Sequence, residues 1–286
     1  MKIIEQLVRS KLGADLSSCE DGLAVSDDFA LVVDGATSTT GRRWTADEIT
    51  GGQWASRLLC EAIQKLPGTS SPQMCMDFLS EQMKIAYQVE EGAINSFIDT
   101  PEERATASMV LYSSHLNQII MVGDCQAAFL DASDEIILHI HPEKYVDVVT
   151  ARARCMLLQA ELLAGTSLEE LRRTDPGREL IHPLLVKQRR FQNNLNAPKL
   201  YQYYAMDGFP ISSIGFEVHD VPRGTKQVIL ASDGYPKLFS SLEATEKHLM
   251  ELIKTDPLLC FEFQSTKGVR TGQESFDDRT YLRIQL

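Results

Sequence analysis

Residues 108–140 read SMVLYSSHLNQIIMVGDCQAAFLDASDEIILHI, and this stretch decides the fold class. Short apolar and β-branched runs recur in it at 108–112, 118–122, 127–130 and 135–140. The joints between them are too short to hold a crossover helix, so the runs are expected to pair as antiparallel hairpins. Working outward, similar runs at 29–33, 227–231 and 280–284 predict three more strands. Helical periodicity takes over at 46–66, 72–96, 143–166 and 242–254. Thr45 ahead of Glu48 predicts a cap for the first of these helices, and Ser71-Pro72 puts a proline in the first turn of the second. The plan is α+β, with long helices flanking antiparallel sheet. No repeat, low-complexity tract or long Gly/Ser/Pro linker divides the chain. One domain over 1–286 is therefore expected, with a helical excursion at 141–205 over one side of the core.

The bulk properties suit an enzyme of modest size. The chain has 286 residues and 43% hydrophobic content, enough for a substantial core. Its 40 acidic residues outnumber 28 basic ones, a formal charge of −12 that disfavours nucleic acid and anionic lipid as partners. Charged residues interrupt the opening MKIIEQLVRSKLGADL, and no apolar run approaches the ~18 residues of a membrane span. Neither a signal peptide nor a membrane segment is expected, and the location is read as cytoplasmic. The six cysteines are scattered without a C-x-x-C pair, which fits reduced packing thiols better than a zinc or redox site.

A repeated pattern carries the chemistry: an apolar run that ends in aspartate. FALVVDG reaches Asp34, IIMVGD reaches Asp124 and VILASDG reaches Asp233, while FDDRTYLRI places Asp277 and Asp278 just before the last strand. A carboxylate at the end of a buried strand is held on a rigid element, and a following glycine lets the backbone turn. If such carboxylates converge, each pair ~4 Å apart repels by ~4 kcal/mol at an effective dielectric near 20, so several ionised together require cations. Oxygen-only donors select Mg²⁺ or Mn²⁺ over Zn²⁺. Taken singly, Asp-Gly is an ordinary turn signal, and it recurs here at Asp21-Gly22 and Asp207-Gly208.

In order and spacing, Glu20-Asp21, VVDG, the RATASMVLY strand leading to VGDC, LASDG and DDRT resemble the motif series of the type 2C (PPM) metal-dependent Ser/Thr protein phosphatases. The resemblance runs the length of the chain. It implies two antiparallel sheets packed as a sandwich with helices on both sides. It also implies that Asp34 bridges two Mn²⁺ or Mg²⁺ ions, that Gly35 ligates through its carbonyl, and that Asp233 and Asp277 complete the carboxylate set. Glu20 and Asp21 would then orient metal-bound water from an outer shell, and Asp124 would serve a third ion. The catalytic nucleophile would be a water bridging the ions at Asp34, Asp233 and Asp277.

The chain departs from that pattern at several points. Where the family commonly has Asp-Gly-His-Gly, this sequence reads Asp34-Gly35-Ala36-Thr37, so the histidine proposed to protonate the leaving group is missing. Leu16 stands where a phosphate-holding arginine is expected, leaving Arg9, Lys11, Arg42 and Arg43 as candidates for that role. Lys237 replaces a further acid after LASDG, which weakens a third ion site. By register the ligand of the last motif is Asp277, with Asp278 capping or solvating the strand start.

Other motifs lead nowhere. His139 and His141 share a strand face but lack a third ligand, Ser212-Ser213-Ile214-Gly215 is no nucleophile elbow, and no Gly-rich phosphate loop is present. The expected activity is hydrolysis of phosphomonoesters, foremost phosphoserine or phosphothreonine of a phosphorylated protein. Two alternatives stay open: a small phosphoester as substrate, or a non-catalytic module that binds a phosphorylated partner. The sequence does not fix oligomeric state.

Overall fold

The computed structural model describes residues 1–45, 47–91 and 96–286. Residue 46 and residues 92–95, where the first and second expected helices begin and end, lie outside the described residues. The chain opens with β1 (Lys2–Arg9), β2 (Gly22–Val25), β3 (Phe29–Gly35) and the short β4 (Arg43–Trp44) and β5 (Ile49–Thr50). Helices α1 (Gly51–Ala62), α2 (Pro72–Glu91) and α3 (Ser96–Asp99) follow, then β6 (Ala107–Ser113), β7 (Gln118–Val122), β8 (Gln126–Leu130) and β9 (Ile136–Ile140). The excursion holds α4 (Tyr145–Leu163), α5 (Leu168–Thr174) and α6 (Pro176–Lys187), and the chain ends with β10 (Glu217–Asp220), β11 (Gln227–Ala231), α7 (Leu242–Thr255) and β12 (Arg279–Gln285).

Two five-stranded antiparallel sheets result, ordered β1-β12-β11-β8-β9 and β10-β7-β6-β3-β2. Their facing sides share a core of Ala30, Val32, Val110, Phe129, Leu230 and Leu282. Alternate residues of β3, Phe29, Leu31 and Val33, face the other way and pack with Trp54 and Leu59 of α1 and Met83 of α2. On the far side, Ile229 of β11 packs with Leu249 and Leu252 of α7. Because both faces of the central strands are covered, β3 and β11 read as unbroken apolar runs rather than alternating ones. The layers are helix, sheet, sheet, helix.

The four runs at 108–140 form two hairpins, but on different sheets: β6 pairs with β7 in one and β8 with β9 in the other. The chain crosses between sheets at Gly123-Asp124. Three strands of the two large sheets escaped the sequence pattern, β1, β2 and β10, which are partly exposed along their lengths, as did the two-residue β4 and β5. The first helix is capped by Thr50, whose side chain accepts from Gln53 N–H while the Gln53 side chain answers, instead of by Thr45, which sits at φ 63°.

Candidate metal centre

The site lies at one end of the sandwich, where the inter-sheet core runs out. Along β3, even-numbered Ala30 and Val32 face the opposite sheet, so Asp34 carries the same alternation into the space between sheets. Its partner across the ladder is Ser108 of β6. Ser108 Oγ donates to Asp124 Oδ1 at 2.6 Å, which ties the crossing residue to the same end. Gly123 makes that turn at φ +85°, and a Cβ there would stand 2.2 Å from Ser108 Oγ. Asp233 follows β11 by two residues, anchored where Ser232 N–H donates to Thr280 O at 3.0 Å and Ser232 Oγ accepts from Thr280 N–H at 2.9 Å.

Asp34, Asp124 and Asp233 thereby converge: one oxygen from each lies within 4.8 Å of the others. Burial and then the neighbouring carboxylates push Asp34 and Asp233 well above the usual carboxylate range. Burial acts on Asp124 in the same direction, but Lys144 Nζ stands 2.7 Å from it and holds it below that range. Asp21 is 9% exposed, its Oδ2 has no hydrogen-bond partner, and burial again pushes its carboxyl well up. Gly35 is wedged so closely that a Cβ would lie 2.3 Å from the Glu20 carbonyl and 2.4 Å from that of Gly52, and it lines the cavity beside Asp34.

The remaining acids lie close by, and Asp277 lines the same cavity as Asp34 and adds its repulsion to both Asp34 and Asp233. Asp277 lies outside the converging three; its Oδ2 is paired with Lys267, and Lys11 Nζ is 3.6 Å from its Oδ1. Asp278 is neither solvated nor a simple cap: at 2% exposure it accepts from Lys11 N–H and Glu20 N–H, both at 2.8 Å, and so locks the turn after β1 against Glu20. Glu20 accepts from Thr37 Oγ1 at 2.7 Å and from Thr50 Oγ1, which fixes it beneath the loop following Gly35.

Of the basic candidates, Lys11 is the one placed among acids. Arg9 pairs with Glu274 at 2.6 Å, Arg42 stacks 4.9 Å from the centroids of Trp44 and Phe97 and lies 3.7 Å from Glu103, and Arg43 is exposed on β4. None of these three lines the cavity of about 120 Å³ beside Asp34. The groups that do line it, Lys144, Arg178, Arg189 and Lys267, come from the excursion and from the loop ahead of β12. Nothing local marks them in the sequence, since each reaches the acids through the tertiary fold. His139 and His141 stack at 5.8 Å, with His139 bonded to Gln126, and do not join a ligand group among the described residues.

The donors fit a hard divalent cation. Three carboxylates meet without a histidine or thiolate among them, and a buried Asp21 oxygen close by lacks a partner.

No family model matches the chain, and no curated protein matches it. Among solved structures it is similar to the Mycobacterium tuberculosis serine/threonine phosphatase PstP/Ppp, at 14% identity and TM-score 0.47 over 99% of both chains. It is likewise similar to serine/threonine phosphatase Stp1 from Staphylococcus aureus, at 13% identity and TM-score 0.47, covering 100% of this chain and 95% of that one. A structure of the PstP catalytic domain in complex with two manganese ions is matched at 12% identity and TM-score 0.46, over 99% of this chain and 98% of that one.

Proposed function

We propose that the chain is a divalent-cation-dependent hydrolase of phosphomonoesters, acting on phosphoserine or phosphothreonine of proteins. The observation that carries this reading is the meeting of Asp34, Asp124 and Asp233 from three separate strand ends, with Asp21, one oxygen of which is unpartnered, near enough to act on Asp34. The order of acid motifs along the sequence supports the same reading.

Asp34 and Asp233 would hold Mn²⁺ or Mg²⁺, with Asp124 alongside. When bound, such an ion supplies polarisation of the phosphoryl oxygens and activation of a water. The chain's own residues do the rest. Lys144, Arg178 and Lys267 put positive charge around the cavity, where a phosphate dianion would otherwise meet a wall of carboxylates. Leu185 and Tyr203 close part of the same cavity against solvent. Ala36 offers no proton at the position after Gly35, so the leaving group takes its proton from solvent. Aryl esters, whose leaving groups need that proton least, should be cleaved faster than alkyl ones.

The test is hydrolysis of a generic aryl phosphate by metal-stripped protein on addition of Mn²⁺. Turnover that appears with Mn²⁺, vanishes with chelator and is lost in Asp34→Asn supports the proposal. Turnover indifferent to chelator, or full activity in Asp34→Asn, sinks it. A second reading, a module that binds a phosphorylated partner without cleaving it, is favoured by the lysines already seated on Asp124 and Asp277. Mn²⁺-dependent phosphopeptide binding with no turnover would select it.

A further inference from the structure

Two lysines stand against acids that the sequence pattern assigns to cations. Lys144, just ahead of α4, places Nζ 2.7 Å from Asp124 Oδ2, and Asp124 Oδ1 is already taken by Ser108 Oγ at 2.6 Å. Lys267 pairs with Asp277 Oδ2, while Oδ1 accepts the Asp278 N–H at 3.1 Å and faces Lys11 Nζ at 3.6 Å. Each oxygen of these two carboxylates therefore has a donor or cation of the protein against it. Asp34 and Asp233 differ: among the described residues Lys267 acts on both only at longer range, without a direct contact, and the Asp21 carboxylate, one oxygen of which is unpartnered, adds its repulsion to Asp34.

The lysines are held in place by a common clamp. Arg154 of α4, with its side chain 0% exposed, pairs with Asp175 at 3.0 Å and donates to Leu258 O and Ser265 O, both at 2.9 Å. One guanidinium thus fastens the helix that follows Lys144 to the loop that carries Lys267. Gly268 lies so near that a Cβ would come within 2.6 Å of Arg154 Nη2, so the loop is packed directly on the clamp. The side chains of Lys144 and Lys267 are 19% and 27% exposed, well short of the freedom of surface lysines.

We propose that Lys144 and Lys267 are resident cations that take the places of divalent ions at Asp124 and Asp277, leaving one divalent-ion position, between Asp34 and Asp233. The inference rests on the cation site proposed above. It replaces the two ions and the third site at Asp124 implied by family resemblance with one ion and two ammonium groups. A further ion at Asp277 would have to displace an ammonium or sit against it.

Calorimetric titration of the metal-stripped full chain with Mn²⁺, together with manganese content after desalting, tests this. The expected result is one ion per chain for the unmodified protein and two for both Lys144→Met and Lys267→Met. Lys144→Arg and Lys267→Arg, which keep the charge, should stay at one ion. Near-UV circular dichroism checks folding, and Lys144→Gln and Lys267→Gln serve where a methionine variant does not fold. Two ions in the unmodified chain, or a single ion in the neutral variants, overturns the inference and leaves the Asp34–Asp233 site standing. No bound ion in any of them overturns that site as well.

Discussion

Ser108 donates its hydroxyl proton to Asp124 at 2.6 Å from the rung of the ladder directly opposite Asp34. One small side chain thus fixes a carboxylate of the inter-sheet crossing against the strand that carries the first acid. Ser108→Ala removes this bond from a buried anion, for which hydrogen bonds are worth ~1.5–3 kcal/mol. With Lys144 still in place, we expect a loss near ~1.5 kcal/mol, read as a lower denaturant midpoint at unchanged slope. An unchanged midpoint would show that the bond contributes nothing net.

Burial and the neighbouring carboxylates outweigh the charge of Lys267 at both Asp34 and Asp233, so in chelator the pair should strain the fold. At separations near 4 Å and an effective dielectric of about 20, their repulsion reaches ~4 kcal/mol as a ceiling. Asp233→Asn should therefore stabilise the metal-free chain by ~1–2 kcal/mol, seen as a higher Tm in chelator. The same variant should lose the rise in Tm that Mn²⁺ gives the unmodified chain by mass action. A lower Tm for Asp233→Asn in chelator contradicts this account.

Arg154 and Asp175 form a pair with side chains 0% and 5% exposed. Breaking a buried pair by removing one partner costs ~3–5 kcal/mol, because the other charge is left uncompensated. Asp175→Asn should fall in that range, and limited proteolysis should then cut first within 141–205, where the excursion loses its clamp. Cleavage elsewhere first would mean that the excursion is held by other contacts.

Glu246 of α7 gives a pH signature away from the metal centre. Burial raises its pKa, but hydrogen bonds from Arg279 at 2.7 and 3.0 Å and from Tyr235 outweigh it, so the folded value lies below the ordinary one. A depressed carboxylate contributes stability above its unfolded pKa of ~4.3, and this is lost as pH falls through the folded value. Glu246→Gln should consequently be less stable than the parent at pH 7, with the gap narrowing as pH drops below ~4. A gap of constant size from neutral to acid pH would remove Glu246 as the source.

The central strands and long helices were legible because their burial on two faces, or on one helical stripe, writes a strong period into the sequence. β1 was not. Its apolar residues Ile3, Ile4, Leu7 and Val8 fall at helical spacing, and the register slip between Ile3 and Glu5 against β12 accommodates that spacing in a strand. Thr45 with Glu48 and Thr50 with Gln53 carry the same cap pattern; Thr50 is the cap because the helix starts at Gly51, whereas Thr45, at φ 63°, lies between β4 and β5. At the site, Asp34, Asp124 and Asp233 could be found because rigid strands deliver them. Lys144 and Lys267 could not, because each meets its acid through the clamp at Arg154 and no local pattern records that meeting.

The crossing at Gly123-Asp124 has a mechanical consequence. Asp34 belongs to one sheet and Asp233 follows a strand of the other, so an ion shared by both would rivet the two halves of the sandwich against sliding. Occupancy should then couple the sheets into a single cooperative unit, and hydrogen exchange at the strand ends of both should slow together when the rivet is set.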